Sequence, residues 1–355
     1  MSAPFHQALT AMTREVGSEA ALQLLRTEVK DDGGLVLTLA TSEGFRWFAF
    51  ARQELCELHP RDEMRVPAAG DLSALCDRGE ADLLSWRPGR RMVVRLSARD
   101  GAHVVKAYRH GRAKTSAQVH AAFQTAIQAA SPHGFRLPRV LHADEKGERV
   151  AFELLHGDEL RFDDLGRFDR IGRALSAMQR SSPEVRLEVH GRAEEVAQLD
   201  RHARRFELAV GSLPPGWSEA RALLSESAVE SPAERVVAHR DLHDGQLLVD
   251  GLSIALLDLD SACLAEPELD LANLAVHLRL DGWLGLRGAE DQRACAAVDA
   301  LRAGFGDADD RAERFYTSAS ALRLALVHGL RPRAHRAIEP LVDLGHTNAA
   351  EISRA

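Results

Sequence analysis

Residues 236–273 read VVAHRDLHDGQLLVDGLSIALLDLDSACLAEPELDLAN, and the fold is decided there. A short β-type run ends at His239-Arg240-Asp241, and Gln246 stands five residues past the Asp. A second apolar run is split by Asp250-Gly251, the strongest short-range hairpin signal when it separates two apolar segments. The hairpin turns the chain back, so Asp258 at the end of its second strand returns toward the loop that holds Asp241. Two carboxylates and one amide are thereby expected to face a common space.

Such a set suits phosphoryl transfer, which needs an acceptor for a hydroxyl proton and oxygen ligands for magnesium beside the phosphate oxygens. The plainer alternative is a polar loop followed by an ordinary hairpin. An amide donor at the right offset, a hairpin and a second Asp at its end together argue against it. The run resembles the catalytic and metal loops of the aminoglycoside phosphotransferase family, small-molecule kinases related to the protein kinases. Protein kinases carry His-Arg-Asp with Asn five residues on, then Asp-Phe-Gly; this chain carries HRDLHDGQ and DLD.

The resemblance spans residues 83–330 and implies an α+β, bilobal protein-kinase-like fold, with a small β-rich N-lobe and a larger mainly α-helical C-lobe. It implies an enzyme that moves the γ-phosphate of ATP, or GTP, to a hydroxyl of an aminoglycoside, sugar or amino alcohol with Mg2+. Asp241 would be catalytic, taking the hydroxyl proton. Asp258 would be the principal metal ligand and Gln246 the second, where Asn is usual. Asp260 is the reserve ligand, and His239 is read as a donor that fixes the loop.

Upstream, residues 82–108 show three strands: DLLSW, a turn at Arg87-Pro88-Gly89, RRMVVRL, a turn at Arg99-Asp100-Gly101, and AHVVKAY. Lys106 sits inside the third, where an unpartnered charge is costly. It resembles the strand lysine that contacts the α- and β-phosphates, and Arg87-Pro88-Gly89 would cover the phosphates without a GxGxxG signature. Helix 114–130 has no Glu to hold that lysine, and Gln118 stands at the expected place. In VAFELLHG, residues 150–157, backbone groups of Glu153 and Leu155 would bind the adenine edge as the hinge.

The implied units are a cap segment over 1–82, a nucleotide-binding N-lobe over 83–155 and a catalytic, acceptor-binding C-lobe over 156–355. In the cap, residues 1–30 read as two short helices broken at Gly17-Ser18, and 34–51 as a hairpin turning at TSEG. Beyond the hinge, FDDLGRFDRIGRALSAMQRSS is a helix capped near Asp163. Pro267 opens a helix whose first turn holds Asp270, a candidate brace for the catalytic loop. A second reading is a catalytically impaired, pseudokinase-like nucleotide-binding module, motivated by the missing helix Glu and by Gln246.

Composition bounds the rest. The chain has 355 residues, 45% hydrophobic and 28% charged, as expected of a globular protein. No apolar run approaches a membrane span and no secretory signal opens the chain, so a cytoplasmic location without membrane partners is expected. Net charge is −8, but residues 1–150 carry +3 and the remainder −11. That asymmetry suits polyphosphate on one side, and a cationic acceptor or simple solubility on the other. Aromatic content of 5% and no basic stripe exclude a nucleic-acid partner. Cys56, Cys76, Cys263 and Cys295 show no paired spacing and read as reduced thiols.

Overall fold

The structure, a computed structural model, describes residues 3–17, 24–42, 44–98, 101–130, 134–228 and 234–354. Helix α1 (Pro4–Val16) opens on a proline, where no amide donor is needed, and buries Phe5, Ala8 and Met12 as one stripe. Strands β1 (Leu24–Val29), β2 (Leu35–Thr41), β3 (Gly44–Ala51) and β4 (Glu54–Leu58) follow as an antiparallel meander. β2 and β3 form the expected hairpin. The expected second helix is instead β1 over its described part. The ladder from Leu24↔Leu39 to Val29↔Leu35 outweighs a weak helical spacing. Ser18, Ala20 and Leu22 of that expectation, Glu43 of the TSEG turn, and Arg99-Asp100 lie outside the described residues.

Helix α2 (Ala69–Asp77) leads into β5 (Ala81–Arg87), β6 (Arg91–Ala98) and β7 (Gly101–Tyr108). After helix α3 (Arg112–Ala130), strands β8 (Val140–Ala143) and β9 (Arg149–Glu153) complete a sheet ordered β5-β6-β7-β9-β8. Its register sets Arg87 opposite Arg91, Arg91 opposite Tyr108, and Val93 opposite Lys106. Paired residues share a face, so Arg87, Arg91, Lys106 and Tyr108 all project to one side.

Strand β10 (Asp158–Glu159) then precedes helices α4 (Gly166–Gln179), α5 (Arg192–Val210) and α6 (Trp217–Glu226). Helix α4 begins without a side-chain cap: Asp163 pairs with Arg167, and Asp164 accepts the Gly166 amide instead. Strands β11 (Val236–Ala238), β12 (Leu247–Asp250), β13 (Ser253–Leu256) and β14 (Cys263–Ala265) frame the loop that holds Asp241, with β12 and β13 the expected hairpin. Helices α7 (Glu268–Leu284), α8 (Asp291–Phe305), α9 (Asp310–Gly329) and α10 (Ile338–Arg354) complete an α+β, bilobal, protein-kinase-like chain.

The N-terminal sheet does more than cap the first lobe. Leu24, Leu35, Leu37, Leu39, Phe48 and Phe50 share one apolar core with Leu199, Phe206, Phe315 and Leu341 of the C-lobe helices. Trp47 faces the other way, meeting Trp86 edge-on at 5.1 Å in a core with α2 and the β5–β7 strands. Among the described residues no helix is long and apolar enough to cross a membrane. All four cysteines are free thiols.

Candidate active site

The loop after β11 is fixed from beneath. Asp270, in the first turn of α7, is fully buried and accepts the backbone amides of His239 at 2.6 Å and Arg240 at 2.7 Å. Burial pushes its carboxyl pKa up, although His239 and those two amides oppose the rise. Asn273, one turn on, donates to the Leu242 carbonyl at 2.8 Å. His239 bonds the Leu257 carbonyl through Nε2 at 2.8 Å and the Asp241 amide through Nδ1 at 3.3 Å, tying catalytic loop to hairpin. Arg240 and Asp258 hold positive φ of 68° and 63°, a strained backbone that non-glycine residues adopt where function demands it. Asp241 is thereby left exposed at the loop surface.

Asp258 meets Lys106. Nζ donates to Asp258 Oδ1 at 3.0 Å, and Arg91 Nη1 lies 2.9 Å from Oδ2. Burial would raise the Asp258 pKa, but Lys106 and Arg91 outweigh it and hold the carboxyl far below the usual range. Asp260 is anchored separately, accepting from Tyr108 Oη, from Ser116 Oγ at 2.7 Å and from Arg91 Nη1 at 3.2 Å.

Gln118 is not the residue that α3 turns toward Lys106: it is exposed. The buried side of the helix carries Ser116 and His120, which the sequence reading passed over. Burial, then Lys106, lowers the His120 pKa to about 4. The neutral ring donates from Nδ1 to the Ser116 carbonyl and accepts the Leu259 amide at Nε2. Asp260 and Asp258 thus supply Lys106 with the negative charge that α3 lacks.

The other expected ligands are less converged. The Gln246 amide lies 3.4 Å from His243 Nε2, turned toward that ring, while its backbone carbonyl accepts the Leu257 amide. Glu153 ends β9 with its carboxylate on Arg136 and Arg139, both at 3.1 Å, and its amide on the Arg139 carbonyl. Leu155 is buried just beyond. Behind the loop, Arg287 bridges Asp244 at 2.5 Å and Asp281 at 2.8 Å. Among the described residues no three His, Cys, Asp or Glu side chains form a metal-binding group.

The model of a phosphotransferase enzyme family matches residues 83–314. Among solved structures, the fold is similar to a choline/ethanolamine kinase family protein from Mesorhizobium loti, with TM-score 0.56 and 15% identity over 77% of this chain and 92% of that one. It is also similar to a microcompartment-associated aminopropanol kinase, with TM-score 0.53 and 15% identity over 80% and 97%. No curated protein sequence matches the chain.

Proposed function

The chain belongs to the phosphotransferase enzyme family and is a small-molecule kinase acting on hydroxyl groups, and from that premise we propose that ATP or GTP is its donor and Asp241 its catalytic base. Asp241 takes the proton of an acceptor hydroxyl as that oxygen bonds to the γ-phosphorus, and the nucleoside diphosphate leaves. The acceptor is a small hydroxyl compound, with aminoglycosides, sugars and amino alcohols the first classes to assay. Lys106 contacts the α- and β-phosphates, and the adenine edge binds backbone groups of Leu155 and the carbonyl of Glu153, whose amide is engaged by Arg139. The contact of Lys106 with Asp258, across the cleft from the catalytic loop, is the observation that carries this reading.

Magnesium would be held by Asp258 and by Gln246 once its amide leaves His243, and it would neutralise charge on the phosphates. One carboxylate and one amide fit an ion that takes most of its oxygens from phosphate and water.

The test is ADP release over a panel of aminoglycosides, sugars and amino alcohols. Asp241→Ala is expected to lower kcat by roughly 10²–10⁴-fold; an unchanged rate rejects its role. The pseudokinase-like alternative, motivated by the missing helix Glu and by Gln246, which here turns onto His243, predicts no ADP release with any acceptor on the panel.

A further inference from the structure

The family match begins at residue 83 and ends at residue 314. Strand β1 and the last turns of α9 lie outside those residues, and they meet beside the cleft. Thr27 Oγ1 donates to the Leu330 carbonyl at 3.1 Å, pinning β1 against the end of α9. Arg26 and Glu28 lie on the opposite face of β1 from Thr27. Glu28 accepts from Arg87 Nε at 3.1 Å and pairs with Arg90 at 3.5 Å. Arg87 and Arg91 share the sheet face that presents Lys106, and Arg91 reaches Asp258. Burial, and then Arg87, Arg331 and Arg91, depress the Arg26 pKa to about 10, opposed by Glu28.

Carboxylates do not balance this cluster. Glu28 is divided among Lys30, Arg87 and Arg90. Among the described residues Arg26 and Arg331 form no ion pair, and burial alone lowers the Arg331 pKa. Arg331 Nε and His328 Nδ1 are shielded from solvent without a hydrogen-bond partner. The cationic wall continues toward the catalytic loop: Arg323 donates to Asn273, which holds the carbonyl beside Asp241. His277, its ring 5.2 Å from that of His243, is depressed by burial, then by His243, Arg323, His328 and Arg331. Arg26 and Arg331 are half-buried; guanidinium groups partly withdrawn from water without an ion-pair partner are costly, and an anionic ligand relieves that cost through charge-assisted hydrogen bonds.

We propose that Arg26 and Arg331, with Arg323 on the Asp241 side, form an anion-binding subsite for the acceptor. On the phosphotransferase reading, on which this rests, the substrate is a hydroxyl compound that also bears a carboxylate or phosphate group. An aminoglycoside or amino alcohol would bring its ammonium groups against these arginines.

ADP release is measured with matched acceptors: glycerol, glycerate and glycerol phosphate, and glucose, gluconate and glucose 6-phosphate. The expected result is a KM roughly tenfold or more lower for the anionic members. Arg26→Gln and Arg331→Gln should each raise that KM by about tenfold with nucleotide KM nearly unmoved, and Arg331→Lys should recover part of the loss. Preference for neutral or cationic acceptors overturns the subsite and leaves the phosphotransferase reading standing. A rise in nucleotide KM instead assigns the arginines to the triphosphate and also overturns it.

A second measurement needs no turnover. With Mg-AMP-PNP saturating, sulfate replaces chloride at constant ionic strength in thermal melts. Sulfate should stabilise the wild type more than either Gln variant; equal responses overturn the subsite. Failure of Mg-AMP-PNP itself to stabilise the protein counts against the nucleotide site instead.

Discussion

Asp281 is a carboxyl whose ionisation is displaced into the neutral range. Burial, then Asp244, raises its pKa to about 7 against the opposing pull of Arg287. The unfolded chain releases that proton near the ordinary value of 3.8, so between about pH 4 and pH 7 the folded state binds more protons. The contribution of Asp281 to stability then falls as pH rises through that window. Asp281→Asn removes the dependence, so the Tm of the variant should gain on that of the wild type from pH 4 to pH 7, read by thermal melts. At this same scale the motif spacing made Asp241, Asp258 and Lys106 legible. Ser116 and His120 were not, because α3 is Ala-rich on several sides and its inward stripe has no sharp apolar edge; Arg91, at the start of β6, belongs to no motif. Gln118 sits only two residues from Ser116, yet faces water.

Helix α7 is the element on which the catalytic loop depends. Its first turn receives two loop amides at Asp270 and its second turn holds the Leu242 carbonyl through Asn273. Asp270→Ala would strand two buried N–H groups, at a cost on the order of 3 kcal/mol, and release the loop that aims Asp241. The expected signature is a lower Tm and a kcat loss larger than any change in nucleotide KM. Pro267 and the acidic first turn announced this helix in the sequence, and the Asp-Gly turn announced the β12–β13 hairpin. Strand β4 and helix α2 gave no comparable signal: β4 is five residues long and α2 has no side-chain cap.

Considered as a whole, the molecule cannot be divided at residue 82 without exposing apolar surface on both sides. The β1–β4 sheet shares one core with α5, α9 and α10, while Trp47 packs on Trp86 of the nucleotide-side sheet. A chain beginning at residue 80 is therefore expected to aggregate or melt well below the full protein, as light scattering and calorimetry would read. The full chain should melt in a single transition. That arrangement was hidden in the sequence because alternation says which face of a strand is apolar, never which distant helix will cover it.

The bond from Thr27 to Leu330 joins positions 303 residues apart. A ribosome adding roughly 5–20 residues per second needs about 15–60 s to travel between them. Throughout that interval Leu37 and Phe48 lack the cover of α9 and α10, and the proposed anion-binding wall does not exist. A polypeptide stalled before its last helices would hold nucleotide-binding strands and a catalytic loop, yet have no place to receive what it is meant to phosphorylate.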